Sequence, residues 1–351
     1  MKKLFFLCLL LSFCACESEQ ISSSNDLPPS SGESGEILLF MDSVKWKSPL
    51  GDEIRNIFAA RQEGILQGEL MFKLRWIDPA KINKFLKMHK NMLFVTTFDL
   101  QTKGSRKMRE FFPKEGIEQI QNNTRLYMLQ KQNIYAKGQQ VLHLFGKDEA
   151  TLLKNLRENR KKLRNIFNKI EEERTQNRLF KATQPDLENI LKRDYAIKMK
   201  IPAGYQVATK EGNKKSAFVW LRFPEAVLDK NLLVCSMPYV SEKVFEPENI
   251  MAFRDSLMKK YIYGDPAKPE SFVITERLEM PVFDTLQLNG NYTIEMRGLW
   301  KTNNISMGGS FVAYLFAKKD RLYYAEGFLY APNLPKREHL RELTTILKTI
   351  E

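Results

Sequence analysis

Three short apolar runs separated by helix-like segments constrain the first half of this chain more than any other feature. ILLFMD (37–42), Leu70–Trp76 and Met92–Phe98 read as strands. Runs that are apolar without alternation must be covered on both faces, which points to a crossover-connected α/β sheet. Between the first two, Ser48-Pro49 opens a helix, with Ser as N-cap and Pro at the first helical position. That start puts Ile54, Ile57 and Phe58 on one face. A second helix is expected from Pro79 to about His89, and further strands near Arg125–Gln130 and Gln140–Phe145. Asp148 then caps one long helix to about Phe180, whose Leu152, Leu156, Leu163, Phe167 and Ile170 fall in a single stripe.

Ala182-Thr183-Gln184-Pro185 ends that pattern, and the boundary between two domains is expected there. Beyond it, strands are expected at Ala196–Ile201, Ala217–Phe223, Leu232–Tyr239, Phe272–Arg277, Tyr292–Trp300, Ser310–Phe316 and Leu322–Tyr330. A helix at Asn249–Tyr261 carries Ile250, Phe253 and Leu257. A closing helix after Pro335 turns Leu340, Leu343, Leu347 and Ile350 inward. The turn chemistry between the later strands implies an antiparallel meander covered by helices. The expected class is therefore α+β: an α/β-like domain over 37–181, then an antiparallel α+β domain over 186–351.

The 351 residues include one long apolar run, Leu4–Phe13, which is half of what a spanning helix needs. With Lys2 and Lys3 before it and Ala15-Cys16 after it, the run reads as an export signal over 1–15. An apolar stretch ending in a small residue and Cys resembles the lipobox of bacterial lipoproteins. In that family the signal is cut before the Cys, here Cys16, and the Cys is acylated. Cys14 is the alternative, behind a bulky Phe13, and simple secretion with a nearby cut is the other. Residues 16–36 are rich in Ser, Pro, Gly and Glu and read as a flexible tether. Cys8, Cys14 and Cys16 belong to the signal and its cut site, which leaves Cys235 alone in the folded part. One cysteine forms no internal disulfide and no cysteine-rich metal centre.

The stretch MDSVKWKSPLGDEIRNIFAARQEGILQGE followed by MFKLRWIDPAKINKFLKMHKNMLFV resembles a family of uncharacterised two-domain envelope lipoproteins of Bacteroidota. Asp42, Trp46, the Leu50-Gly51-Asp52 turn into a helix, Phe58, and the Pro79 segment leading into Asn91–Val95 carry the likeness. The resemblance implies an outer-membrane lipoprotein of this two-domain layout. It implies no active site, substrate or cofactor.

Residue chemistry narrows function by exclusion. His89, His143 and His339 stand in no metal-ligand spacing, so no metal and no cofactor are expected. His143 alternates with Leu142 and Leu144, which points it away from their face as a solvated or otherwise satisfied histidine. Gly308-Gly309 reads as a turn. Among the acids, Asp42 closes the first strand, and the carboxyl ends of such strands line the ligand crevice of open α/β sheets. The plainer alternative is a cap on the loop leading to Trp46. Glu295 and Glu326 lie on aromatic-rich strands, and either one with Asp42 is the carboxylate pair of a possible envelope hydrolase. Their alternation with apolar neighbours points both toward solvent.

Net charge is +13, or +11 once Lys2 and Lys3 leave with the signal. Residues 101–180 alone carry 18 Lys and Arg against 9 Asp and Glu. Arg157, Arg160, Lys161, Lys162 and Arg164 belong to the densest run; they are either the solvated face of a core-packed helix or candidate contacts to an anionic surface, lipid or an acidic envelope protein. Nucleic acid is excluded by export and by the lack of interleaved aromatics. The expected function is a non-catalytic binding or assembly role in the cell envelope, with the membrane held through the N-terminal lipid.

Overall fold

The computed structural model describes residues 27–65, 68–265 and 267–351. The signal and residues 16–26 of the tether, Cys16 among them, lie outside them. The C-terminal part of the expected tether is laid onto the fold. Ser30 and Ser31 donate backbone hydrogen bonds to Lys137 and Met88, and Glu36 is already in the first strand.

The first domain is a five-stranded sheet between two layers of helices. Its elements are β1 (Glu36–Met41), α1 (Ser43–Trp46), α2 (Pro49–Phe58), β2 (Lys73–Ile77), α3 (Lys84–Lys87) and β3 (Asn91–Thr97). After them come α4 (Lys103–Arg109), α5 (Lys114–Asn122), β4 (Met128–Gln132), β5 (Gln140–Gly146), α6 (Glu149–Glu158) and α7 (Arg160–Leu179). The strand order is β2-β1-β3-β5-β4, parallel except for the β4 edge. β1 shows why its run does not alternate. Ile37, Leu39 and Met41 pack under α2, α6 and α7, while Leu38 and Phe40 pack with Met108 of α4 on the other face.

Two helices differ from expectation. The Pro79–His89 segment is one 3-10 turn plus the single turn α3, because Ile82 takes an extended ψ of 126° and Asn83 caps a new start. The long helix divides at Asn159, whose φ of −123° is not helical and whose side-chain amide donates to the Asn155 carbonyl. The stripe survives the break, since Leu152, Leu156, Leu163 and Phe167 all reach the same core.

The second domain begins with α8 (Pro185–Tyr195) and is built on an eight-stranded antiparallel sheet. Its strands are β6 (Gln206–Gly212), β7 (Ala217–Pro224), β8 (Asp229–Pro238), β9 (Val273–Thr275), β10 (Val282–Leu288), β11 (Asn291–Thr302), β12 (Gly308–Lys318) and β13 (Arg321–Tyr330). Order is β10-β11-β12-β13-β8-β7-β6, with β9 paired to β11. Helix α9 (Pro247–Tyr261) covers one face; α10 (Arg337–Leu347) and α8 cover the other. The strand expected at Ala196–Ile201 is absent: Ala196 takes a left-handed φ of 57°, and the following residues run extended outside the sheet. Gly308-Gly309 is not a turn but opens β12. The sheet edges β6 and β10 were not expected, because their mostly exposed residues carry no apolar run. Mixed α+β architecture with a closing C-terminal helix is thus the fold.

Candidate functional site

The carboxyl end of the parallel sheet, where open α/β sheets place a ligand crevice, is closed by its own side chains. Asp42 follows β1 and caps α1, accepting from the Val44 amide at 2.9 Å and from the Thr102 hydroxyl. Gly104 permits this approach, since a Cβ there would lie 2.6 Å from the Asp42 Oδ2. Beside it the buried Lys45 donates to Asp99 and to Glu149, each at 2.8 Å, and Glu149 also accepts from Ser48 at 2.6 Å. Burial pulls the Lys45 ammonium down, but Asp99 and Glu149 outweigh it and hold its pKa above the ordinary value. The space left is about 10 Å³, too small for a ligand. Asp42 supports a loop.

The two glutamates of the second domain do not face solvent, and they do not face each other. Glu326 is 0% exposed and accepts from two of the Arg254 nitrogens, at 2.8 and 3.0 Å, and from the Tyr324 hydroxyl. Glu295 takes Arg297 at 2.7 and 3.0 Å and the Tyr314 hydroxyl at 2.6 Å. Burial pushes the Glu295 carboxyl up, while Arg297 and Tyr314 more than offset it and leave it below the usual carboxylate value. In register, Glu295 stands opposite Tyr314 and Glu326 opposite Ala313. Neighbours on β12 point to opposite faces, so the sheet itself separates these acids. Asp42 belongs to the other sheet altogether, and no carboxylate pair forms.

His143 is a further correction. It is 8% exposed, stacked on Phe94 at a ring separation of 4.7 Å, and its Nδ1 has no partner. Burial, with Lys131 adding to it, lowers its pKa to about 4. Among the described residues no cluster of His, Cys, Asp or Glu is arranged to hold a metal ion. No helix among them is long and apolar enough to cross a membrane.

The basic run fares differently. Arg160 grips the buried Glu53 with two nitrogens, at 2.5 and 2.6 Å, and Arg157 approaches the same carboxylate at 3.6 Å. Lys162 turns away, over the Tyr127 ring. Arg160, Lys161 and Arg164, however, line a cleft of about 760 Å³ between the two domains. Lys161 crosses it to Asp284 of β10 at 2.9 Å, and Arg164 spends one nitrogen on the Ile57 carbonyl at 3.1 Å. The second domain contributes Arg297, Arg337, Arg341 and Lys348. With Lys169 of α7, the walls hold eight cationic side chains against Glu63, Glu172, Asp284 and Glu295; of the cations, Lys348 pairs with Glu172 at 2.7 Å, and Arg337 and Arg341 both pair with Glu338, at 2.8 and 2.5 Å. Lys169 is exposed, and no acid among the described residues pairs with it. Sequence reading named three of these cations and not the other five: Lys169 on α7, Arg297 on β11, Arg337 and Arg341 on α10, and Lys348 just past it. Only their convergence in space marks them.

Residues 184–349 match the family model of a domain of unknown function (DUF4837), and residues 30–180 match that of a second (DUF8532). The chain therefore has the make-up of a two-domain protein of uncharacterised families. No curated protein matches it.

Proposed function

We propose that this protein is a lipid-anchored component of the cell envelope, acylated on Cys16, that binds an anionic ligand in its interdomain cleft without catalysing a reaction. The anchor is argued from the signal, the lipobox-like Ala15-Cys16 and the polar tether. Assignment to the outer membrane and to Bacteroidota rests on the family resemblance.

The binding role rests on one observation, the excess of cations over acids in a cleft large enough for a ligand. It redirects the basic run of α7 from a flat membrane surface to an enclosed one. The hydrolase alternative loses its motive, because Asp42, Glu295 and Glu326 are each engaged apart from one another. Affinity purification from envelope fractions tests the reading. The wild-type chain should retain an acidic partner or an anionic lipid that Arg164→Glu with Lys169→Glu releases. The same captured material from both proteins would overturn the cleft, and an unmodified Cys16 in the mature N-terminal peptide would overturn the anchor.

A further inference from the structure

Helix α9 does not cover the whole of its sheet face. It seats Ile250, Met251, Leu257 and Met258 there, and beyond its last residue, Tyr261, a second hollow of about 450 Å³ opens. Trp220, Trp300, Phe328 and Tyr330 form aromatic walls; Arg222, Asp229 and Asn231 supply polar groups, and Asp265 and Lys268 add one charge of each sign. Apolar walls with a few convergent polar groups, at this size, are the make-up of a small-molecule site. The interdomain cleft lies on the α10 side of the sheet, so this is a separate place.

The walls are set in advance. The Trp300 indole donates to the Leu329 carbonyl at 3.2 Å and lies against Gly309, where a Cβ would come within 2.8 Å of the ring nitrogen. The Trp220 indole donates to Asn231 Oδ1 at 2.9 Å. Both N–H groups are spent inside the protein, and what these two side chains offer the hollow is ring carbon. Arg222 donates one nitrogen to Asp229 Oδ2 at 2.7 Å, while Arg222 Nε and Asp229 Oδ1 are buried without a protein partner.

We infer that this hollow binds a neutral saccharide ring. A wholly apolar ligand would cut the Arg222–Asp229 pair, whose side chains are still partly open to water, off from solvent, which is costly. An ion of either sign meets one member of that pair that repels it. A polyol has hydroxyls that both donate and accept, so it serves guanidinium and carboxylate together. Its C–H face is matched by aromatic walls, which take an apolar body with a polar edge.

Calorimetric titration of the purified protein tests this. The probes are glucose, galactose, mannose and N-acetylglucosamine with their short oligomers, and indole and citrate serve as apolar and anionic comparators. Saturable binding of at least one saccharide is expected. Asp229→Leu or Arg222→Met should weaken it by about tenfold or more, while Lys169→Glu in the cleft leaves it unchanged. Should those variants melt early, Tyr263→Ala at the rim, a residue 80% exposed, provides the same reading without touching the core. Binding of indole or citrate alone, binding of none of the probes, or saccharide binding indifferent to all three variants overturns the assignment.

Discussion

Arg178, near the end of α7, donates to Glu342 of α10 at 2.7 Å, and this contact ties the first domain to the second. The other oxygen of Glu342 accepts from the buried Lys230 at 2.9 Å. Burial pushes this carboxyl up, but His339, Lys230 and Arg178 together hold it down to about 2. A carboxyl whose pKa is depressed in the fold stabilises it above the ordinary value of 4.5, and that contribution is lost as pH falls from there toward 2. The stake is about 3 kcal/mol. Urea unfolding across this range should show Glu342→Gln less stable than wild type at neutral pH and flatter in acid. Parallel pH curves for the two proteins would refute it.

His143 governs a higher window. Its pKa of about 4 lies below the ordinary 6.5, so the fold favours the neutral ring. Above 6.5 neither state carries the proton. As pH falls from 6.5 to about 4 the unfolded chain takes it up first, and stability drops by about 3 kcal/mol. His143→Phe keeps an aromatic ring against Phe94 and removes the titration. Wild type should lose stability over this interval while the variant holds level; an equal loss in both would refute the assignment.

His143 and Glu326 show what the sequence made legible. The period-2 pattern put His143 on the face opposite Leu142 and Leu144, which is correct, but both faces of a parallel sheet are covered, so that face was not solvent. Glu326 misleads in the same way. Alternation set it on one face of β13, and only the arrival of Arg254 from α9 makes that face interior. The apolar strands and the amphipathic stripe of α6 and α7 were readable because burial there demands many side chains of one kind. The cleft was not readable. Arg297 and Lys348 stand apart from other cations in sequence and Arg337 sits in the mixed-charge stretch Lys336–Glu342, and what unites them is the packing of α10 near α7.

Arg254 and Glu326 themselves make a third prediction. Both are wholly buried, and Arg254 also donates to Thr275 at 3.1 Å and lies 4.0 Å from the Phe311 ring centre. Removing one partner leaves a buried charge uncompensated, so Arg254→Met alone should cost ~3–5 kcal/mol. Arg254→Met with Glu326→Leu should recover most of that loss, because two apolar groups carry no desolvation cost. Chemical denaturation of the two variants decides it. A double variant as unstable as the single one would mean that the pair is tied into the fold through Tyr324 and Thr275 more than through its own charges.

Cys235 offers a direct probe of whether β8 is the sheet's interior. It lies on the α9 side of the sheet, paired in register with Phe218 of β7 and Tyr324 of β13, and is 5% exposed. Burial pushes its thiol up to about 12, with Lys260 opposing only weakly. Attack on a thiol reagent needs the thiolate and needs access, and this cysteine lacks both until the sheet opens. A chain beginning at Glu17 carries this cysteine alone, so labelling reads one site. Reaction with a disulfide reagent in native buffer should be at least ~1,000-fold slower than in denaturant, because opening a central strand approaches global unfolding in free energy. Addition of urea below the unfolding midpoint should raise the rate in step with the unfolded population. Labelling in native buffer at the denatured rate would mean that α9 leaves the sheet readily, and that the face shared by Arg254 and Glu326 is not sealed.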